Sequence, residues 1–297
     1  YRAKSEARGS YRFFSPAMEA DVRARVAMGI ELRAAIAAEQ LFLVYQPQVE
    51  LGSGRVVGLE ALVRWRHPTR GIVGPGDFIP EAERSGLIVP LGQWVLRQAC
   101  RQARQWRDAG IATPSVAVNL SGVQFRKALD LEREIAAVVA ETGLPGESLE
   151  LELTESVLME ASREHNDVLL RFRKAGYQLA IDDFGSGYSS LDYLRRFPVD
   201  RIKIAQSFIA DIGRASGNDA IVKAALGLAR ELDIEVVVEG AETAAQIALL
   251  RSWGCRVVQG FYFSRALPVP EVTELLRIGR IALPAGVDEP AGAAAAA

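Results

Sequence analysis

Cysteine and histidine are scarce in this chain, which holds only Cys100, Cys255, His67 and His165. Two cysteines far apart in sequence build no disulfide framework, so a reducing, cytoplasmic setting is expected. Without a Cys/His cluster, zinc ligation of the usual kind is not expected, and both histidines read as loop or surface residues. Long apolar runs are missing too, since nothing approaches the roughly 18 residues of a transmembrane helix. Residues 1–14 mix charge and aromatics where a signal peptide needs an apolar stretch. The chain opens on Tyr1 rather than Met, so a longer parent is expected, and a membrane anchor elsewhere in it stays open. A formal net charge of only −2 gives no support for a nucleic-acid polymer or a polybasic membrane surface. Neither GxGxxG nor GxxxxGK[ST] occurs, which removes the usual phosphate loops of doubly wound sheets, and no fixed-period repeat is seen.

What is present is an ordinary core-forming composition, 49% hydrophobic and 24% charged over 297 residues, enough for one large domain with short extensions. Met18, Val22, Val26, Ile30 and Leu32 recur at helical spacing and predict a helix over about 18–39. Short β-rich strings follow: LFLVYQ (41–46), VVGLEALVRW (56–65), SVAVNLS (115–121), LELELTES (149–156), QLAIDDFG (178–185), DRIKIAQ (200–206), IEVVVEG (234–240) and VVQGFYFS (257–264). Helix-period stretches lie between most of them, such as 91–109, 130–142, 166–175 and 219–232. Alternation of this kind predicts βαβ crossovers and a largely parallel sheet. The first two strings are joined by turn residues without a helix, which predicts an antiparallel hairpin. Eight strands suit an α/β barrel. The final AGVDEPAGAAAAA is low-complexity and is expected to be a tail.

Nearly every strand string ends on an acidic or amide residue: Glu60, Asn119, Glu152, Asp182 with Asp183, Glu239 and Gln259. Strand ends meet solvent and collect polar residues for that reason alone. In an α/β barrel, however, these ends converge on one mouth, where active sites sit. Six ends in register favour a shared site. Carboxylates gathered there repel one another unless cations neutralise them, and hard oxygen ligands suit Mg²⁺ or Mn²⁺. Asp182 and Asp183 are adjacent, so a regular strand would point them to opposite faces. Both reach one site only if the strand ends and turns, which Gly185 and Gly187 permit. DDFGSG is then either a plain acidic turn or part of a two-metal phosphoester-hydrolysing site, in which one carboxylate bridges the ions. Lys203, between Ile202 and Ile204, either snorkels to solvent or points into the barrel, where it needs carboxylate partners and can hold a water or a phosphate oxygen.

EALVRW (60–65) resembles the signature of EAL-domain cyclic di-GMP phosphodiesterases. YQPQ (45–48), FIPEAE (78–83), VNLSGVQF (118–125), ELTES (152–156), IDDFGSGYSSL (181–191), EGAET (239–243) and QGFYFS (259–264) follow in that family's order, over roughly residues 29–280. The resemblance implies a modified TIM-type (β/α)8 barrel with its first strand antiparallel, and hydrolysis of cyclic di-GMP to linear pGpG at a site holding two Mg²⁺ or Mn²⁺ ions. It implies Glu60, Asn119, Glu152 and Asp182 as ligands of one metal, and Asp182, Asp183 and Glu239 as ligands of the other. Lys203 is similar to the lysine at the nucleophilic water, and Glu239 doubles as a possible general base. Gln46, Leu62, Arg64, Glu242 and Gln259 match substrate-groove positions. Glu155 and the loop with Gly185, Ser186 and Gly187 match the segment coupling a homodimer to the site.

YRAKSEARGSYRFF (1–14) resembles the tail of a GGDEF-type cyclase domain, so upstream GGDEF and sensory domains are expected in a bacterial signalling parent. The expected division is 1–28 for that tail and linker helix, 29–283 for the barrel and 284–297 for the low-complexity tail.

The chain departs from the family pattern where Lys-x-Asp is usual, reading Lys203-Ile204-Ala205. Positions 203 and 205 share a strand face, so the absent carboxylate would have stood beside the lysine. Ala241, Ser186 and Ala266 are milder departures, from valine, threonine and proline. The expected activity is phosphodiester hydrolysis. The alternative is a cyclic di-GMP receptor with weak or no turnover, and an unrelated Mg²⁺-dependent barrel enzyme is a third reading.

Overall fold

A computed structural model describes residues 16–185, 194, 196–214 and 217–283. Helix α1 (Pro16–Ala37) leads into β1 (Leu41–Glu50), which turns directly into β2 (Val56–His67). The short β3 (Gly71–Val73), α2 (Pro75–Ser85) and α3 (Ile88–Asp108) precede β4 (Ser115–Leu120). Next come α4 (Gly122–Phe125), α5 (Ala128–Thr142), β5 (Leu149–Thr154), α6 (Glu155–Met159), α7 (Arg163–Lys174) and β6 (Gln178–Phe184). The chain continues through β7 (Arg201–Ile204), α8 (Gln206–Ile209), α9 (Asn218–Glu231), β8 (Glu235–Glu239), α10 (Ala244–Ser252), β9 (Val257–Gln259), β10 (Leu267–Pro268) and α11 (Val269–Ile278).

Eight strands close into a barrel in the order β1-β9-β8-β7-β6-β5-β4-β2, with β2 pairing back onto β1. All of these pairings are parallel except the two made by β1, which runs antiparallel to β2 and to β9. The turn-rich LGSG link with no helix is what forces that hairpin, because a parallel neighbour needs a crossover. Strands β3 and β10 add onto β2 and β1, and the string after Gln259, expected to extend a strand to 264, instead leaves the sheet.

Alternation along each strand separates two interiors. Leu149, Leu151, Leu153, Ile202 and Ile204 face outward and pack with helix residues such as Ile135, Val138, Val222 and Leu226 in the hydrophobic core. The opposite positions face the barrel interior, which is small and polar: Ala117 and Ala180 leave room for buried Gln48, Glu60, Glu150, Glu152, Arg201, Lys203 and Gln259. Burying so many polar groups is tolerable only when each is paired.

His67, expected in a loop or at the surface, is the last residue of β2 and is buried. Its Nδ1 accepts the backbone N–H groups of Thr69 and Arg70, while Nε2 faces Glu31 on α1 at 3.3 Å. Cys100 and Cys255 are free and buried. No helix of the described residues is long and apolar enough to cross a membrane. Residues 1–15 and 284–297, with Ser186 and Gly187, lie outside the described residues.

Candidate functional site

Lys203 settles between its two sequence readings by pointing inward, fully buried. Its Nζ lies 2.8 Å from Glu239, 2.9 Å from Glu152, 3.2 Å from Glu60 and 3.4 Å from Asp182. Register explains the convergence. In β4 and β5, Asn119 stands beside Glu152, and in β8 and β9, Glu239 stands beside Gln259. In β1 and β2, Gln46 stands opposite Glu60. One layer of side chains at the carboxyl ends of the parallel strands therefore comes from almost the whole ring.

Asp183 joins them by a route the sequence did not reveal. Strand β6 runs on through both aspartates, and the backbone already breaks within it, at Asp183, before it turns again at Gly185 with a φ of 92°. Asp183 takes a φ of 54°, and the β6–β7 register shifts between Ile181 and Phe184. Aspartate is one of the few side chains that tolerates this left-handed conformation, because its short carboxylate bonds locally. Here the Asp183 N–H donates to Oδ1 of Asp182 at 2.9 Å. The kink brings ligand atoms of Asp182, Asp183 and Glu239 within 4.8 Å of one another. Beyond it, the Gly185 N–H donates to the buried Glu155 carboxylate at 2.8 Å, tying the loop after β6 to the start of α6.

The charges are unequally held. Burial raises Glu152 well above the usual carboxylate range, and the negative charge of Glu60 adds to this against the pull of Lys203. Burial likewise raises Asp182, and lifts Glu239 to about 7 in spite of Lys203. Glu60 goes the other way: burial opposes ionisation, but Lys203 and hydrogen bonds from Gln259 and Asn119 outweigh it, so its carboxyl is lowered. Asn119 donates to Glu60 Oε1 at 2.7 Å and Gln259 to Oε2. Burial also works against the Lys203 ammonium, yet Glu152, Glu60, Glu239 and Asp182 together hold it well above its ordinary value.

Four carboxylates thus face the Lys203 ammonium with Asp183 beside two of them, and both oxygens of the buried Glu152 lack an aligned hydrogen-bond donor among the described residues. That set of hard, partly unsatisfied oxygen atoms fits a divalent cation.

Beside the carboxylates, Gln46, Leu62, Glu242 and Gln259 line a cavity with Glu60, Asp182 and Glu239. Arg64 is not among its lining residues; its guanidinium donates to the Val63 carbonyl at 2.9 Å. The cavity also contains Gln206, Gly240, Gly260 and Phe261, which sequence reasoning passed over. Gly240 has a φ of +75°, and a Cβ there would strike the Gln206 side chain. A glycine directly after the last strand residue of IEVVVEG was the available signal.

Below the mouth lies a second polar layer, also unexpected. Arg201 Nη1 donates to buried Glu150 at 2.6 Å, and its other nitrogens reach Glu235. Burial still raises Glu150, with Arg201 acting against it. The signal was in the sequence, since positions 150 and 201 stand two residues before 152 and 203 on the same strand faces.

Ala205 is buried and follows the end of β7, with its backbone still extended (φ −59°, ψ 143°), at the N-cap of α8. It supplies no side-chain cap, so the aspartate of the family pattern would have had a second use there.

The class defined here is a closed α/β barrel with one antiparallel barrel strand and an acidic mouth centred on a lysine. The EAL domain family matches residues 30–266, and the chain belongs to that family. It is 43% identical over 280 residues to the cyclic di-GMP phosphodiesterase NbdA of Pseudomonas aeruginosa, covering 94% of this chain and 36% of that protein. It is 41% identical over 272 residues to the bifunctional diguanylate cyclase/cyclic di-GMP phosphodiesterase MucR of the same organism, covering 92% of this chain and 40% of MucR. The chain therefore spans about two fifths or less of these relatives. The solved PaMucR phosphodiesterase in complex with c-di-GMP superposes with a TM-score of 0.80 at 42% identity, covering 83% of this chain and 99% of that one.

Proposed function

We propose that this domain hydrolyses one phosphodiester bond of cyclic di-GMP, releasing linear pGpG, with two Mg²⁺ or Mn²⁺ ions. The observation carrying this reading is the ring of Glu60, Glu152, Asp182 and Glu239 closed around Lys203, with Asp183 turned toward it, in a family whose similar member was solved with c-di-GMP. Glu60, Asn119, Glu152 and Asp182 would hold one ion, and Asp182, Asp183 and Glu239 the other. When bound, the ions acidify a water and neutralise charge on the phosphoryl oxygens.

The chain's own groups do the rest. Lys203 carries a positive charge fixed by its four partners, aimed at the place where phosphoryl charge develops. Glu239, 2.8 Å from Lys203, is the candidate general base as well as a ligand. Gln46, Leu62, Glu242 and Gln259 lie along the adjoining cavity as candidate substrate contacts, whereas Arg64 is a phosphate contact by the family resemblance alone and would have to leave the Val63 carbonyl to make it. The parent would be a signalling protein with upstream GGDEF and sensory domains, its barrel in the cytoplasm whether or not another segment anchors it to a membrane. A homodimer would act on the site through Glu155 and the loop beginning at Gly185.

A receptor that binds cyclic di-GMP with little turnover is the second reading, favoured by Ala205. Incubation with cyclic di-GMP and Mn²⁺ or Mg²⁺, with products separated by chromatography, tests the two. Metal-dependent pGpG, abolished by chelator, supports hydrolysis; tight binding without product supports the receptor. Ala205→Asp is expected to raise turnover or metal affinity by about 10-fold, the scale of effects exerted through groups next to metal ligands. An unchanged rate and an unchanged metal titration in that variant would remove any role for position 205.

A further inference from the structure

We infer that Gln48 and Arg201, which lie a layer below the mouth, are positioning residues that set the orientation of the Gln259 amide and through it the Glu60 carboxylate. This rests on the metal-site reading above for its consequence, though not for its geometry.

The argument is one of donor polarity. A guanidinium donates and cannot accept, so the group facing it must present an oxygen. Arg201 is anchored by Glu150 and Glu235, and its Nη1 lies 3.2 Å from Gln48 Oε1. With its oxygen committed there, Gln48 must turn its NH₂ the other way, and Nε2 donates to Gln259 Oε1 at 3.2 Å. Gln259 is then obliged to turn its own NH₂ toward the mouth. There Nε2 donates to Glu60 Oε2, with a second contact of 3.2 Å to Gln46 Oε1.

The far end fixes the same sense independently. Gln46 Nε2 donates to the Ser264 carbonyl at 3.2 Å, and a carbonyl can only accept, so Gln46 must offer its oxygen to Gln259. A donor-only group at one end and an acceptor-only group at the other thus leave one arrangement for three amides in a row.

Burial makes the chain of bonds consequential. Gln48 is fully buried, and Gln259 and Arg201 nearly so, so no bulk water can substitute for a missing donor. The fold also makes room for it. Gly58 stands opposite Gln48 across the β1–β2 pair, and a Cβ at 58 would lie only 2.1 Å from Gln48 Oε1. Any larger residue at 58 evicts the carboxamide from its bond with Arg201.

If Gln48 cannot donate, the Gln259 carbonyl loses its buried donor, and only Gln46 and Glu60 at the mouth still orient the amide. An amide that turns or tilts there would weaken the Gln259 bond that orients the Glu60 carboxylate. Lost orientation of a metal ligand typically costs 10–100-fold in metal affinity.

The test uses the full chain after chelator treatment. Mn²⁺ affinity is measured by calorimetry, and the Gln259 side-chain NH₂ pair is followed by nitrogen–proton NMR, assigned from its disappearance in Gln259→Glu. Gln48→Met matches the volume without donating, and Gln48→Glu keeps the reach to Arg201 while bringing only acceptors. Both are expected to move the Gln259 pair and to weaken Mn²⁺ binding by about 10-fold. A space-filling role for residue 48 predicts no change in either quantity for Gln48→Met. Folded variants with an unmoved amide pair would overturn the inference, as would a moved pair with unchanged Mn²⁺ affinity. If the wild-type chain binds Mn²⁺ but leaves cyclic di-GMP intact, the proposed function fails while the affinity comparison still decides the relay. If it binds no Mn²⁺, the amide pair alone decides it.

Discussion

Glu60→Ala is expected to reduce hydrolysis of cyclic di-GMP by roughly three orders of magnitude, the loss seen when one electrostatic element of a charge-stabilising site is removed. Glu60 is the hub of the mouth: Asn119 and Gln259 donate to its two oxygens, and Lys203 lies 3.2 Å away. It is also the one carboxylate there, with neighbours raised by burial, whose own carboxyl is lowered, so it is the most committed to the ionised form a cation needs. The same change removes a repulsive neighbour from Glu152 and Asp182 while taking from Asn119 its 2.7 Å acceptor and leaving Gln259 only Gln46. These effects oppose each other, so the metal-free Tm should move by less than about 4 °C, equivalent to roughly 1 kcal/mol in a domain this size. Turnover by chromatography and melting by circular dichroism separate the two effects. Wild-type rates in a folded Glu60→Ala protein would show that the ligand assignment is wrong.

Arg201→Leu should do the reverse and act first on stability. It strands Glu150, whose side chain is 1% exposed, without its 2.6 Å partner, and breaking a buried pair from one side costs about 3–5 kcal/mol. The double variant Arg201→Leu/Glu150→Leu should recover much of that, since replacing both partners by apolar groups is often close to neutral. Urea unfolding measures both. A single-variant loss under about 1 kcal/mol, or a double variant no better than the single, would mean that the pair is not holding the barrel base.

The pH dependence has a defined sign. Glu150 already sits above its ordinary value because it is buried, and losing Arg201 removes the charge acting against that shift. A carboxyl whose folded pKa exceeds its unfolded one supports the fold below the unfolded value and ceases to do so as pH rises through the folded value. The Arg201→Leu penalty should therefore grow from pH 5 to pH 8.

Much of the site's composition was legible in the chain. Carboxylates and amides at the ends of β-rich strings marked the mouth because parallel strands all end on the same rim, and the missing crossover after the first string gave the antiparallel pair. Legibility failed wherever a local rule was overridden. A turn at the glycines was expected, and Gly185 does take a φ of 92°, but Asp183 already departs from the strand through its own φ of 54°, beside a bond from its N–H to Asp182. His67 was expected outside and is inside, because its ring closes a backbone turn. Gln206 and Phe261 carry no signal of their own and enter the cavity only because of where their segments leave the sheet.

By itself, the sequence determined the alternation: which residues could share a strand face, which strings needed crossovers, and which chemistry the polar positions could support. Only the tertiary structure decided that Lys203 would meet four carboxylates from four different strands, and that Arg201, Gln48, Gln259 and Glu60 would form one directed chain of hydrogen bonds. The physical reason is that period-two patterning fixes a side chain's face, whereas closure and register of the barrel fix its neighbours across strands.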